Sequence, residues 1–265
     1  MFAGSCCSVN LDRPMKSTLR RLLGALGALI APPQCVLCDQ PGLAGPVDLC
    51  AACLAEFPRP AGNGPILGGD FALVCCPWSF DFPVDALVRA LKFHGERCHA
   101  RLFGTLLARE RARHGAPLPG LVVPVPLHPL RLRVRGYNQA AEIACYAARE
   151  LALPLDRNAL RRLRPTREQS ALRSRDRAAN VAGAFAAART LAGLRVALVD
   201  DVVTTGSTVN AAAVALREAG AAAVELWVVA RAARRGPRAP KSLSECPEVF
   251  AEESADNRGS KHPPG

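Results

Sequence analysis

Short apolar runs, typical of buried strands, alternate along the second half of the chain with segments whose apolar residues recur every three or four positions, as in helices. Strands are predicted over 121–125, 158–163, 183–187, 195–203 and 224–230, with one more within 71–80. Helices are predicted over 84–93, 98–113, 137–153 and 209–219. Strand-helix alternation from 121 to 230 predicts an α/β fold, with a parallel sheet flanked by helices.

The same pattern divides the chain into four parts. Residues 1–31 are predicted to be flexible with one short helix, 32–57 to form a cysteine module, 70–231 the α/β domain and 232–265 a disordered tail. The basic and apolar stretch ending at Ala31 imitates a signal peptide, but prolines follow it without a cleavage pattern, so a docking helix is preferred. Met1 and Met15 are both candidate starts.

Composition changes this picture in two ways. The chain of 265 residues carries 34 Lys and Arg against 23 Asp and Glu, a net charge of +11, which suits a polyanionic ligand, nucleic acid or simply a soluble basic surface. Eleven unevenly spaced cysteines argue against a secreted disulfide scaffold and for metal binding in a reducing compartment, so we expect a cytoplasmic protein. No apolar run approaches the roughly 20 residues that span a bilayer, so no stable membrane insertion is expected.

Two CxxC pairs lie within the cysteine module. Cys35 and Cys38 form one pair, and Cys50 and Cys53 form the other. Each pair presents two thiolates on one tight turn, and two facing turns complete a tetrahedron suited to structural zinc. A redox CxxC is the alternative, but it would not need two copies. The vicinal Cys75 and Cys76 are interpreted as packing residues in a strand.

The segment 196–208 carries the most specific chemistry. A buried apolar strand ends in Asp200 and Asp201, and a turn rich in hydroxyls follows before the next helix. Backbone N–H groups and side chains of this turn can surround a phosphate at the positive end of that helix. The two carboxylates can accept hydrogen bonds from ribose hydroxyls or help to hold a divalent metal. The candidate phosphate-binding residues are Thr204, Thr205, Gly206, Ser207 and Thr208. This segment resembles the phosphoribosyl-pyrophosphate (PRPP) motif of type I phosphoribosyltransferases.

Two basic segments could neutralise a pyrophosphate leaving group. In the first, 123–139, His128 and the loop N–H groups could bind pyrophosphate, with a cis bond expected at Pro126 or Pro129. A plain loop with a solvated basic face explains this segment equally well. The second, 164–185, carries Arg167 and Arg177 as candidate catalytic cations of a lid that excludes water. Its alternative is a basic surface loop, which also suits nucleic acid.

Four motifs occur in order: the paired CxxC module, VPVPLHPLRLRVRGYNQ, PTREQSALRSRDRAANVAGAF and VDDVVTTGST. Together they resemble the ComF family of phosphoribosyltransferase-like proteins over most of 33–231. The resemblance implies a type I phosphoribosyltransferase fold with an N-terminal zinc ribbon, with Asp200 and Asp201 on the ribose and Thr204 to Thr208 on the 5′-phosphate. It also implies a link to competence and DNA uptake, and it leaves the acceptor unknown.

Three functions are carried forward. The first is magnesium-dependent transfer of a phosphoribosyl group from PRPP to an unknown nitrogen acceptor. The second is a competence or DNA-uptake factor that binds DNA, although aromatic residues make up only 5% of the chain, which weakens single-strand stacking. The third is a regulator that senses PRPP or a nucleotide without turnover. Type I relatives commonly pair, so the resemblance is compatible with a homodimer, but the sequence does not specify the oligomeric state.

Overall fold

A parallel sheet organises the described part of the molecule. The computed structural model describes residues 34–43, 47–60, 70–164 and 183–232, all of which lie in one compact unit. Its strands are β1 (Leu73–Cys75), β2 (Trp78–Ser79), β3 (Leu121–Pro124), β4 (Leu160–Arg162), β5 (Phe185–Ala187), β6 (Arg195–Val203) and β7 (Ala223–Arg231). The main sheet has the order β1-β7-β6-β3, with β2 also pairing with β7, and every pairing in it is parallel. Strands β4 and β5 form a separate antiparallel pair.

Helices cover both faces of this sheet. They are α1 (Ala51–Ala55), α2 (Val84–Arg89), a π-helical segment (Ala90–His94), α3 (Cys98–Arg113), α4 (Pro129–Arg135), α5 (Gln139–Glu150) and α6 (Ser207–Glu218). Ala197 and Val199 of β6 share one core with α3 and α5, whereas Val196 and Leu198 share the other core with α6. This alternation follows from the pleat, which turns successive side chains to opposite faces. The predicted parallel α/β fold is therefore confirmed.

The first core depends on a close approach of two helices. A Cβ on Gly104 of α3 would lie 2.5 Å from the carbonyl oxygen of Ile143 in α5, closer than a real Cβ approaches another atom. Glycine at this position therefore lets α3 and α5 pack almost backbone to backbone. About two turns further along α3, the Arg111 guanidinium forms a buried ion pair with Glu225 of β7, at 2.8 Å between Nε and Oε2.

The cysteine module packs against the same core. Cys35, Leu49 and Phe57 are buried together with Trp78 and Phe103. The rings of Phe57 and Trp78 meet edge to face with centroids 5.6 Å apart, and Trp78 in turn lies 6.4 Å from Phe103. Because these aromatic contacts bury large side chains, the module and the sheet share one hydrophobic core.

Two local predictions are wrong. The segment 71–80 forms two short strands, not one, because Pro77 lacks the N–H needed to continue the ladder. The prolines after β3 predicted a loop, but the structure has helix α4 there. Pro129 takes the first helical turn, where a missing N–H costs nothing, and Gly136 ends the helix at φ 80°.

Several other expectations concern parts of the chain outside the described residues. These are the helix at 18–31, most of the linker at 58–69, most of the arginine-rich segment at 164–185 and almost all of the tail at 232–265. The four-part division of the chain stays a prediction.

Candidate functional site

The two acids lie at the carboxyl end of β6, in the middle of the sheet. Asp200 is in register with Val228 of β7, one step beyond the last paired residue of β3. In an open α/β sheet, ligands bind outside the carboxyl ends of the strands, and the acid pair occupies that position.

Asp201 has a buried cationic partner that sequence reasoning missed. Lys92, in the π-helical segment, places its Nζ 2.9 Å from Oδ1 of Asp201, and the two side chains are only 20% and 13% exposed. The same carboxylate oxygen accepts a hydrogen bond from the N–H of Val202 at 2.5 Å. These two contacts hold the carboxylate of Asp201 in a fixed position beside the Lys92 ammonium.

Asp200 has a different environment. The packing around its carboxyl group, together with the neighbouring charge of Asp201, raises the pKa of Asp200 to about 7, although Lys92 and Arg162 pull it down. Arg162 of β4 is itself largely buried, and this burial lowers the pKa of its guanidinium, as does the nearby charge of Arg131. The two adjacent acids thus differ: Asp201 is held in an ion pair, whereas Asp200 lies at the edge of protonation at neutral pH.

The turn after β6 opens directly into helix α6. Gly206 adopts a left-handed φ of 77°, a conformation that glycine reaches without strain, and α6 begins at Ser207. The hydroxyls of Thr205 and Ser207 lie 3.0 Å apart. Thr204 is exposed and Thr208 is partly buried in the first helical turn. The five predicted phosphate-binding residues therefore line the start of a helix, where N–H groups and the helix dipole favour an anion.

His128 lies in the loop that follows β3. The N–H of Val125 in this loop donates to the carbonyl of Val199, two residues before Asp201, so the loop runs beside the acid pair. Nδ1 of His128 accepts a hydrogen bond from the N–H of Leu130 at 3.3 Å, which makes His128 the N-cap of α4. The expected cis bond at Pro126 or Pro129 is wrong, since the cis peptide within the described ranges is Phe82–Pro83.

Not every predicted residue can be placed. Arg167 and Arg177 lie outside the described residues. The cations that the structure does place near the acids are Lys92, Arg131 and Arg162. They come from three different elements that meet only after folding. Nothing in the local pattern around Lys92 or Arg162 distinguishes them from other surface cations.

The four predicted zinc ligands come together at the other end of the first core. Their sulfur atoms all lie within 4.8 Å of one another, with Cys38 and Cys50 3.6 Å apart. Burial raises the pKa of the Cys35 thiol, but hydrogen bonds from backbone N–H groups outweigh it and lower that pKa to about 6. The contact with Cys38 raises the pKa of Cys53. Cys35, Cys38, Cys50 and Cys53 therefore form a cluster able to hold a metal ion.

Comparisons with known proteins place this architecture. Residues 138–257 match the family described as "Phosphoribosyl transferase domain". The DNA utilization protein YhgH of Salmonella typhi is 32% identical over 224 residues, which cover 77% of this chain and 99% of that protein. The chain belongs to the ComF family of phosphoribosyltransferase-like proteins. Competence protein F of Haemophilus influenzae is 36% identical over 157 residues, 57% of this ComF-family chain and 69% of that protein.

A solved structure shows a weaker likeness. The glutamine PRPP amidotransferase of B. subtilis, solved with ADP and GMP, matches 49% of this ComF-family chain with 22% identity and a TM-score of 0.34. The match spans a quarter of that enzyme's length, and likeness at this level carries no argument about function. Within the described ranges, the ComF-family chain has no helix both long and apolar enough to cross a bilayer.

Proposed function

We propose that this protein binds PRPP with magnesium and transfers the phosphoribosyl group to a nitrogen acceptor. One observation carries the proposal: β6 ends in two neighbouring acids, and the next turn opens the long helix α6. A ribose 5-phosphate needs hydroxyl acceptors on one side and an anion site on the other. Asp200 with Asp201, and Thr204 to Thr208, supply these two requirements at adjacent positions.

The acids have distinct roles in this proposal. Asp201, paired with Lys92, accepts a hydrogen bond from a ribose hydroxyl. Asp200, with its raised pKa, becomes ionised when ribose hydroxyls and cations approach it. The backbone N–H groups at the start of α6 and the hydroxyls of Thr205 and Ser207 bind the 5′-phosphate.

In the proposed reaction, negative charge develops on the departing pyrophosphate. The bond between C1 of the ribose and the pyrophosphate oxygen breaks, and pyrophosphate leaves with the electron pair of that bond. The lone pair of the acceptor nitrogen forms the new bond to C1, and an acceptor that carries an N–H also releases that proton to solvent. Lys92 and Arg162 lie near the acids, where they would oppose the charge that develops on pyrophosphate. Arg167 and Arg177 would add to this charge from the lid. When bound, magnesium neutralises the pyrophosphate oxygens and orients them.

The cysteine cluster has a separate role in the proposal. Four sulfur ligands favour zinc, and four protein ligands leave no open position for catalysis. We assign Cys35, Cys38, Cys50 and Cys53 a structural zinc ion that ties the cysteine module to the first core.

Titration calorimetry with PRPP and MgCl₂ tests the main proposal. Wild-type protein should bind with saturable heat, and Asp200→Asn combined with Asp201→Asn should weaken binding by about tenfold or more, because hydrogen bonds to charged groups are lost. Asp85→Asn, which removes one partner of the surface pair with Arg89, is the matched control and should bind as wild type does. If folded wild-type protein did not bind PRPP, both the transferase function and the PRPP-sensor function would be rejected. Pyrophosphate release with a panel of acceptors then separates these two functions.

The names of the relatives favour a second candidate. Competence protein F and DNA utilization protein YhgH point to a role in DNA uptake or use, and a net charge of +11 suits contact with phosphates. Binding of a DNA duplex and of a single strand, measured from 50 to 200 mM salt, should then fall steeply with salt. Binding that is absent at low salt would eliminate a direct DNA contact.

A further inference from the structure

A pocket opens beside the acid pair, between two segments that are distant in sequence. Residues 92–95 form one wall, and α4 with the turn after it, 130–137, forms the other. Its volume of about 740 Å³ lies in the range of small-molecule sites. Lys92 belongs to this lining and also contacts Asp201, so the pocket adjoins the proposed ribose site directly.

The lining has one sign of charge. Lys92, Arg131 and Arg135 contribute three fixed cations, and no carboxylate belongs to it among the described residues. Arg135 is held in place, since its guanidinium donates to Oε1 of Gln139 at 3.0 Å. Low-dielectric walls with charge of one sign concentrate the opposite charge, so the pocket favours an anion.

Besides the cations and His94, the lining is mostly apolar. Phe93 is 68% exposed and Val134 is 92% exposed, which is unusual for side chains of this type. The guanidinium of Arg135 lies 5.3 Å from the centre of the Phe93 ring. Aromatic rings and guanidinium planes both stack on planar groups, so this pair forms a platform for a flat ligand.

The lining offers few neutral hydrogen-bonding side chains. Within the described residues it contains His94 but no Asn, Gln, Ser or Thr, and the Tyr137 hydroxyl donates to the carbonyl of Leu91. The amide side chains that pair with the edge of an adenine are therefore absent from it, whereas its cations can pair with a carboxylate.

We infer that this pocket is the acceptor site, and that it takes a planar heteroaromatic or aromatic acid instead of a neutral nucleobase. The inference rests on the proposed transfer from PRPP, since an acceptor needs a donor beside it. The carboxylate contacts Arg131 and Arg135, the ring lies on Phe93, and the edge nearest Lys92 faces the ribose held by Asp201.

Binding of small acids tests this site without any assumption about turnover. Nicotinate, quinolinate and orotate are titrated by calorimetry or ligand-observed NMR, with nicotinamide as the neutral isostere of nicotinate. Without PRPP, at least one acid should bind about tenfold or more tightly than nicotinamide. Arg135→Gln should weaken the acid by a similar factor, and Phe93→Ala should weaken all planar probes.

Arg133→Gln is the matched control. It removes the same charge from the same helix, but Arg133 is exposed and does not line the pocket, so acid binding should be unchanged. Equal loss in Arg133→Gln and Arg135→Gln would reduce the effect to net charge and overturn the inference. The inference would also be overturned if nicotinamide bound as tightly as the acids, or if no acid bound with a Kd below roughly 10 mM.

The PRPP titration separates the failure of the two proposals. PRPP binding without any acid binding overturns the pocket assignment and leaves the transferase standing. If an acid binds but PRPP does not, the transferase proposal fails, and the pocket cannot then be an acceptor site. A short single-stranded oligonucleotide that outcompetes every acid, and loses affinity in Phe93→Ala, would assign the pocket to nucleic acid and overturn the inference.

Discussion

The cysteine cluster and the acid pair lie in the same protein but are built on opposite principles. In the cluster, four cysteine thiols come from two local turns, and each turn is complete within four residues. At the acid pair, two neighbouring carboxylates are made unequal by partners from distant elements: Lys92 beside Asp201, and Arg162 near Asp200. Local spacing therefore specifies the first site, whereas the second exists only in the folded sheet.

Removing the metal ligands should have the largest effect. Cys35→Ser breaks a buried member of the cluster, and the cysteine module shares its core with Trp78 and Phe103. We expect loss of the bound metal and a Tm lower by about 10 °C or more, because metal binding in such modules is folding free energy. Elemental analysis and calorimetry measure both. Cys98→Ser, at an exposed thiol outside the cluster, should keep the metal and the Tm. If removing the metal from the wild-type protein left its Tm unchanged, this prediction would be contradicted.

The next effect comes from the partner of Asp201. Lys92→Met leaves a buried carboxylate without its cation, which should cost about 2–3 kcal/mol of unfolding free energy. Arg89→Met breaks an ion pair with Asp85 in the same helical stretch, but Arg89 is 58% exposed, and the cost there should be about 0.5 kcal/mol or less. Urea unfolding of the two variants compares them directly. Equal losses would mean that the Lys92 pair is no more protected from solvent than the Arg89 pair.

The smallest effect is a pH-dependent one at Asp200. Its pKa is raised in the folded protein, so the folded state binds a proton more tightly than the unfolded chain, and wild-type stability falls as pH rises from about 4 to about 7. Asp200→Asn removes this pH-dependent loss of stability, because an amide does not ionise. Its unfolding free energy, relative to wild type, should increase by about 1–2 kcal/mol between pH 5 and pH 8.

Asp156→Asn is the control of opposite sign. Although burial raises the pKa of Asp156, hydrogen bonds from the Asn158 N–H and the Arg189 guanidinium lower it overall. Asp156 therefore stabilises the fold above its unfolded pKa, and that contribution disappears as pH falls through the folded pKa. The two variants should show opposite trends in thermal scans across pH 3 to 8. Parallel trends would contradict the proposed difference between the two carboxyl groups.

The sequence was sufficient for features that depend on short-range pattern. The strand at 195–203 was predicted with its observed bounds, because four consecutive apolar residues and a following turn define it. The four cysteines of the two CxxC motifs were predicted to come together, and they do, because each motif forms its turn by itself. Helix α4 was missed, since prolines at 126 and 129 resemble loop punctuation until Pro129 is seen in the first helical turn.

The missing parts of the site have a common cause. Lys92, Arg131 and Arg162 come from a π-helical segment, a short helix and a minor strand, and no period or spacing links them. Their proximity results from packing on the two faces of one sheet. Burial and charge at such positions are properties of tertiary structure, so composition and motif alone could not have predicted which of the 34 basic residues would meet the acids.

The acid pair of β6 joins parts of the chain that are far apart in sequence. Lys92 of the π-helical segment contacts Asp201, and Arg162 of β4 lies near Asp200. A substitution in either of these segments therefore changes the charge around the acids while β6 itself stays intact.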